Sequence, residues 1–333
     1  MTDDLQEIPG VGPAIAEQLI EAGYDSYTGI AVASPHELSK TANFDPDTAA
    51  DVIESAREVA DFDGFDSGSD VLSKRDDIGT LRTGHDGFDD LLDGGIKTQS
   101  VTEVYGNEGS GRTALAHLLA VRAQLPANQG GLSGQVAYID TRGLFNPDRI
   151  TEIVGSLPDA ERDALFHQHG ISGDDLDDLV GAVLDHIHVS EPADSTAQLL
   201  DVEQAQELAE KLSGIENSLR LVVMDSLTFH FRAEYQSRGE LAERQQKLNK
   251  HIHDLMRIAD LHNAAIVVTN ATTSSSTPYG GNLLRHFVTY RVQFKKTSGD
   301  VRYAELADAP DIPVGEDVQF YFTNGQFVPE PST

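Results

Sequence analysis

Residues Gly106 to Thr113 read GNEGSGRT and match the phosphate-binding pattern G-x-x-x-x-G-K-[ST] at every fixed position but one. Gly106, Gly109 and Gly111 let the backbone wrap an anion with its N–H groups, Asn107, Glu108 and Ser110 complete the loop, and the Thr113 hydroxyl is placed to reach Mg²⁺. Arg112 stands where the pattern has a lysine. It keeps the charge but replaces a slim, rotatable ammonium with a broad planar fork. A second element, LVVMDS at residues 221–226, is an apolar strand ending in Asp225, an acid suited to orienting magnesium through water. Either motif alone is weak. Together, in this order, they point to a P-loop site for ATP and Mg²⁺.

Such a loop needs a strand before it and a helix after it. VTEVY and ALAHLLA supply them, and QVAYID, LVVMDS and AAIVVTN read as further apolar strands separated by amphipathic helices. One helix is predicted from about Leu241 to His262. The alternation implies an α/β core with a mostly parallel sheet flanked by helices. YRVQFKK, VRYAELAD and VQFYFTNGQFV follow as strands joined by short turns, an antiparallel extension at one edge. The expected organisation is a small all-α domain over residues 1–60, a linker over 61–77 and the core over 78–333. In the first of these, IPGVG at residues 8–12 precedes a helix, the helix-hairpin-helix pattern. Its glycines either bring backbone N–H groups to a phosphate or form a tight interhelical turn without a ligand. The linker text DFDGFDSGSDVLSKRDD is polar and without periodicity, and Phe65 is its conspicuous residue, either tucked against its own domain or an anchor for a neighbouring subunit.

The chain has 333 residues, no cysteine and a formal net charge of −31. Disulfides and thiolate metal sites are excluded. No apolar run approaches the ~20 residues of a membrane span, and acids stand where a secretory leader carries basic residues, so the cytoplasm is the expected compartment. A solvated acidic surface of this kind suits a salt-loving organism, where ionic strength screens self-repulsion. Residues 1–64 hold fourteen acids against Lys40 and Arg57, which argues against tight DNA binding by that domain. Between residues 232 and 302 the balance reverses to eleven Lys/Arg against six Asp/Glu, a candidate anion-binding face. His251 and His253, two apart on a helix, do not face one another, so no metal is expected there.

Over nearly its whole length the sequence resembles the archaeal RadA recombinases, RecA-type strand-exchange proteins with a RecA-like core and a helix-hairpin-helix domain. IPGVGPAIAEQLIEAGYD, GFDSGSDVL, DDLLDGGIKTQSVTE and FRAEYQSRGELAERQQKLNKHIHDLMRIADLHNA carry the resemblance. It implies that Phe65 inserts into the next protomer, that Arg149 packs on adenine, and that residues 308–313, with Pro310, cap a neighbour's nucleotide. It also implies that Arg238 and Arg244 face DNA from a first loop and Gly280 and Gly281 beside a second. ATP, Mg²⁺ and single-stranded DNA are the implied ligands, and a homo-oligomer is the implied assembly.

Departures from the family text fall in three catalytic elements. Arg112 replaces the lysine, Arg142 replaces the glutamate that positions the attacking water, and Ala271 replaces a glutamine linking the γ-phosphate to the DNA loop. A guanidinium accepts no proton at ordinary pH, and loss of a base costs on the order of 10²- to 10⁴-fold in rate. The expectation is a recombination and repair protein that binds ATP and single-stranded DNA and joins filaments with little or no hydrolysis of its own. The alternative is a non-catalytic paralogue that caps or modulates filaments of an active RadA, in a hetero-filament.

Overall fold

In a computed structural model, residues 5–60, 67–214, 217–235, 237–273, 276–297 and 299–329 are described, together with their side chains except those of Asp70, Lys74, Arg238, Asn282 and Leu283. Phe65 lies outside the described residues. The chain divides into two units, Met1–Asp76 and Asp77–Thr333.

The first unit is helical. Helices α1 (Pro13–Glu21), α2 (Tyr27–Ala31), α3 (Pro35–Thr41) and α4 (Pro46–Val59) start where the sequence supplies start signals. Proline opens α1, α3 and α4, and the side chains of Ser26, Ser34 and Asp45 accept the first free backbone N–H groups of α2, α3 and α4. Ile8 and Val11 of the IPGVG turn are buried with Leu19, Ile30, Leu38 and Ile53. Gly10, at φ +87°, makes the turn, and the space beside it and Gly12 is open. Part of the stretch expected as a linker is helical: α5 spans Gly68–Arg75. Its described side chains are all exposed, so it carries no apolar stripe for periodicity to reveal.

In the second unit a short antiparallel ladder, β1 (Thr80–Leu81) with β2 (Ile96–Lys97), and helix α6 (Asp86–Leu91) precede a nine-stranded sheet. Its strands are β3 (Ser100–Gly106), β4 (Gln135–Asp140), β5 (Ile187–Ser190), β6 (Leu219–Asp225), β7 (Ala265–Ala271), β8 (Tyr290–Lys296), β9 (Arg302–Asp308), β10 (Asp317–Thr323) and β11 (Gln326–Val328). They lie in the order β11-β10-β9-β8-β3-β7-β6-β4-β5. From β8 to β5 the neighbours are parallel, and β8 through β11 pair antiparallel, the edge extension that the sequence predicts.

The central parallel strands β3, β7, β6 and β4 are buried on both faces, and their residues alternate between two cores. Val136, Tyr138, Leu221, Val223 and Val267 point to one side, with helices α7 (Arg112–Arg122), α8 (Pro147–Ser156), α9 (Asp159–Gln168) and α10 (Leu176–Asp185). Ala137, Ile139, Val222, Met224 and Val268 point to the other, with α11 (Ser195–Lys211), α12 (Phe229–Glu234), α13 (Leu241–His262) and α14 (Gly281–Phe287). Helix α13 has the bounds read from the sequence. A capping box between Ser237 and Glu240 precedes it, Leu248, Ile252, Leu255 and Ala259 form its buried stripe, and Asn263 at φ 47° ends it. Because β3, β7, β6 and β4 are parallel neighbours, Gly106, Ala271, Asp225 and Asp140 all end at one edge of the sheet.

Candidate nucleotide and nucleic-acid site

Gly106 closes β3 in register with Ala271 on one side and Phe294 on the other. The loop that follows turns at Gly109 (φ +73°) and Gly111 (φ +103°), a left-handed backbone that glycine alone adopts without strain. Gly111 is also where Phe322 of β10 packs, since a Cβ there would lie 2.2 Å from the ring. Asn107 Oδ1 accepts from the Thr272 hydroxyl, and the Gly109 carbonyl faces Arg302 Nε at 3.4 Å. Ser110 is fully buried and its Oγ has no protein partner.

Arg112 opens α7, 8 % exposed, with its Nε unpartnered. Burial pushes this guanidinium below its ordinary pKa; the Asp225 and Glu108 carboxylates oppose that shift, while the charges of Arg142 and Arg232 add to it. Two buried polar atoms without protein partners, at the N-terminus of an eleven-residue helix and beside glycines that admit close approach, fit a phosphate group. Thr113 follows in the first turn, and its carbonyl accepts from His117 Nδ1. His117 Nε2 in turn accepts the Asn146 backbone N–H at 2.9 Å, so the ring is the neutral Nδ1–H form, which burial favours.

Asp225 is buried at the end of β6, with Thr269 donating to Oδ1 and Tyr138 to Oδ2 at 3.4 Å. Two neutral hydroxyls hold its orientation within electrostatic reach of Arg112, and its oxygens are a donor set suited to a cation or its bound water. Arg142 follows β4, exposed, its backbone N–H donating to Asp140 Oδ1 at 3.0 Å and its guanidinium 6.0 Å from the Phe229 ring. Ala271 has no polar side chain to offer, and its carbonyl accepts the Tyr279 N–H at 3.1 Å. Arg149, on α8, is half exposed and pairs with Glu152 at 2.7 Å. Pro310 is exposed in the connection between β9 and β10, and Asp308 at its start pairs with Arg285 at 3.1 Å.

Of the residues expected near DNA, Arg238 begins the 3₁₀ turn Arg238–Glu240, its side chain outside those described, and Arg244 is half-buried on α13. On the same helix, Lys247 pairs with Glu243, and Lys250 with Glu203 and Asp254. Gly280 (φ +95°) and Gly281 (φ +61°) open α14, and the space beside Gly281 is free.

Sequence reasoning missed two arrangements. Arg232 on α12 stacks on Tyr279, guanidinium carbon 3.5 Å from the ring centroid, and so ties the segment after β6 to the segment after β7. Glu103, fully buried in β3, pairs with Arg291 of β8 at 2.6 Å and accepts from Asn270, whose amide also reaches the Tyr279 carbonyl. An acid inside the apolar run VTEVY was the available signal.

Comparison with known proteins fits this geometry. The Rad51 family profile matches residues 74–170 and 175–327, and a profile described as a SAM-like helix-hairpin-helix tandem matches residues 2–58. The DNA repair and recombination protein RadA of Haloferax volcanii is 48 % identical over 327 residues, covering 94 % of this chain and 95 % of its own. The chain belongs to the archaeal RadA recombinase family. A RadA of Halobacterium salinarum is 46 % identical over 328 residues, 95 % of this chain and 96 % of its own, and one of Methanoculleus marisnigri is 43 % identical over 321, covering 94 % and 95 %. The RadA-type core is the mixed sheet above, with the P-loop at the carboxyl edge of β3. Among the described residues no helix is long and apolar enough to cross a membrane.

Proposed function

We propose that this chain is a DNA repair and recombination protein that binds ATP with Mg²⁺ and single-stranded DNA, joins nucleoprotein filaments, and hydrolyses ATP weakly or not at all. Its RadA relatives carry the first half of that description in their names. In this reading residues 106–113 hold the phosphates, Thr113 and Asp225 hold Mg²⁺, and Arg149 and Pro310 contact nucleotide. Arg238, Arg244, Gly280 and Gly281 face DNA, and Phe65 joins protomers. Magnesium, when bound, would neutralise phosphate oxygens, with Thr113 and Asp225 holding it.

The single observation that supports weak hydrolysis is Arg142 at the end of β4, anchored by its backbone N–H on Asp140 with its guanidinium exposed. In this reading Arg142 stands where the family has the glutamate that positions the attacking water. An arginine there attracts the phosphates but cannot orient and deprotonate a water. Binding and turnover are thereby separated in one site. Anisotropy of labelled single-stranded DNA at high KCl, with and without ATP–Mg²⁺, tests the reading. Nucleotide-enhanced binding supports it, and no binding in either condition removes it.

A further inference from the structure

Arg142, just past the end of β4, is exposed, has no ion pair among the described residues and holds its guanidinium 6.0 Å from the Phe229 ring. Phe229 is 41 % exposed, and so is Leu144, two positions beyond Arg142. In a chain with 55 acids and 24 Lys/Arg, an exposed arginine without a carboxylate stands apart from the rest of the surface. Arginine beside uncovered aromatic and aliphatic side chains is the composition of a protein–protein contact.

The complementary chemistry lies on the same core. The connection between β9 and β10 turns at Gly315 (φ +92°) and leaves Val314 54 % exposed. Between this turn and the end of α6 is a cavity of about 290 Å³, lined by Ile312, Pro313 and the carboxylates of Asp90, Asp93, Asp311 and Glu316. Lys97 reaches Asp93 at 3.5 Å and Asp311 at 3.9 Å, whereas Asp90 and Glu316 have no ion pair among the described residues. The cavity is therefore short of positive charge. An arginine suits it, because the methylene stem covers the apolar wall while the fork meets the carboxylates.

The topology keeps the two surfaces apart within one chain. Arg142 leaves the sheet at the edge where β3, β4, β6 and β7 end, on a strand next to the terminal β5. Strand β9 runs antiparallel to β8, with Asp308 opposite Arg291, so the 311–316 turn leaves from the other edge, toward the β11 end. Surfaces of opposite character at opposite corners of one core join copies head to tail.

We propose that the surface of Arg142, Leu144 and Phe229 receives the 311–316 turn of a second copy of this chain, with Arg142 in the acid-lined cavity beside Glu316 and Val314 against Leu144 and Phe229. The inference rests on the filament-joining reading above and adds to it a contact besides Phe65. The side chain that stands in the place of a base then holds protomers together. Arg142 and Glu316 are both exposed, so replacing either leaves the fold intact.

The chain has no cysteine, so Arg142→Cys and Glu316→Cys each introduce a single thiol. The two variants, mixed with ATP–Mg²⁺ and single-stranded DNA at one KCl concentration and treated with a short bis-maleimide, are expected to give a covalent dimer on a denaturing gel. Either variant alone is expected to stay monomeric there. In the same buffer, light scattering reads the protein concentration at half assembly. Arg142→Ala and Glu316→Ala are each expected to raise it about fivefold, and the double variant by about the same factor rather than about 25-fold, because both remove one contact. No covalent dimer from the mixture, single variants at the native value, or effects that multiply overturn the inference, while native assembly leaves the filament reading standing. No assembly by the native chain removes both.

Discussion

The Arg232 guanidinium lies 3.5 Å from the centre of the Tyr279 ring, joining the start of the positive segment to the loop that precedes Gly280 and Gly281. This one contact ties the segment after β6 to the segment after β7, the two stretches that lead into the residues proposed to face DNA. Tyr279→Ala is expected to weaken nucleotide-dependent binding of single-stranded DNA by about fivefold, with Tyr279→Phe close to native. Fluorescence anisotropy at constant salt reads both variants.

The Glu103–Arg291 pair ties β3 to β8 beneath the loop, buried, with the Asn270 amide as its third member. Arg291→Met leaves a buried acid without its cation and is expected to cost about 3–5 kcal/mol. Adding Glu103→Gln should return much of that loss, because the uncompensated charge is then gone. Denaturant midpoints of the single and double variants at one KCl concentration measure the difference.

His169 is half-buried, both ring nitrogens lack partners, and its ring lies 4.7 Å from that of His186. Burial, with the His186 charge, lowers its pKa to about 4. Between the ordinary value near 6.5 and about 4 the unfolded chain binds more protons than the folded one, so stability present above pH 6.5 is lost as pH falls through that window. The loss is on the order of 2 kcal/mol by the lower end. His169→Phe is expected to flatten the fall of the thermal midpoint over this range.

The excess of acids predicts that salt stabilises the fold by screening self-repulsion. The thermal midpoint should rise by about 10 °C or more between roughly 0.1 and 3 M KCl. A flat response would mean that the acidic surface contributes little repulsion.

Much of this architecture was legible in the sequence, because the signals are local. GNEGSGRT sits between a strand and a helix as its spacing requires, and α13 has the bounds Leu241 to His262 read from the sequence. The antiparallel edge was visible in three β-rich segments with short turns. What escaped depends on distant residues or on none. Phe322 reaches Gly111 from β10, and Arg291 reaches Glu103 across 188 positions, neither of which has a local pattern. Helix α5 escaped for the opposite reason, since its described side chains are exposed and leave no periodicity to read. Arg112, Arg142 and Ala271 were each visible as substitutions; the stacking of Arg232 on Tyr279 required the fold.

The central claim is that this site keeps the means to bind ATP and lacks the means to hydrolyse it. The most direct measurement is ATP turnover, with saturating single-stranded DNA and Mg²⁺ at high KCl, for the native chain and for the triple variant Arg112→Lys/Arg142→Glu/Ala271→Gln. The account predicts a native rate at baseline and a rise of about 10²-fold or more in the triple variant. Steady native turnover that disappears in Asp225→Ala would contradict it.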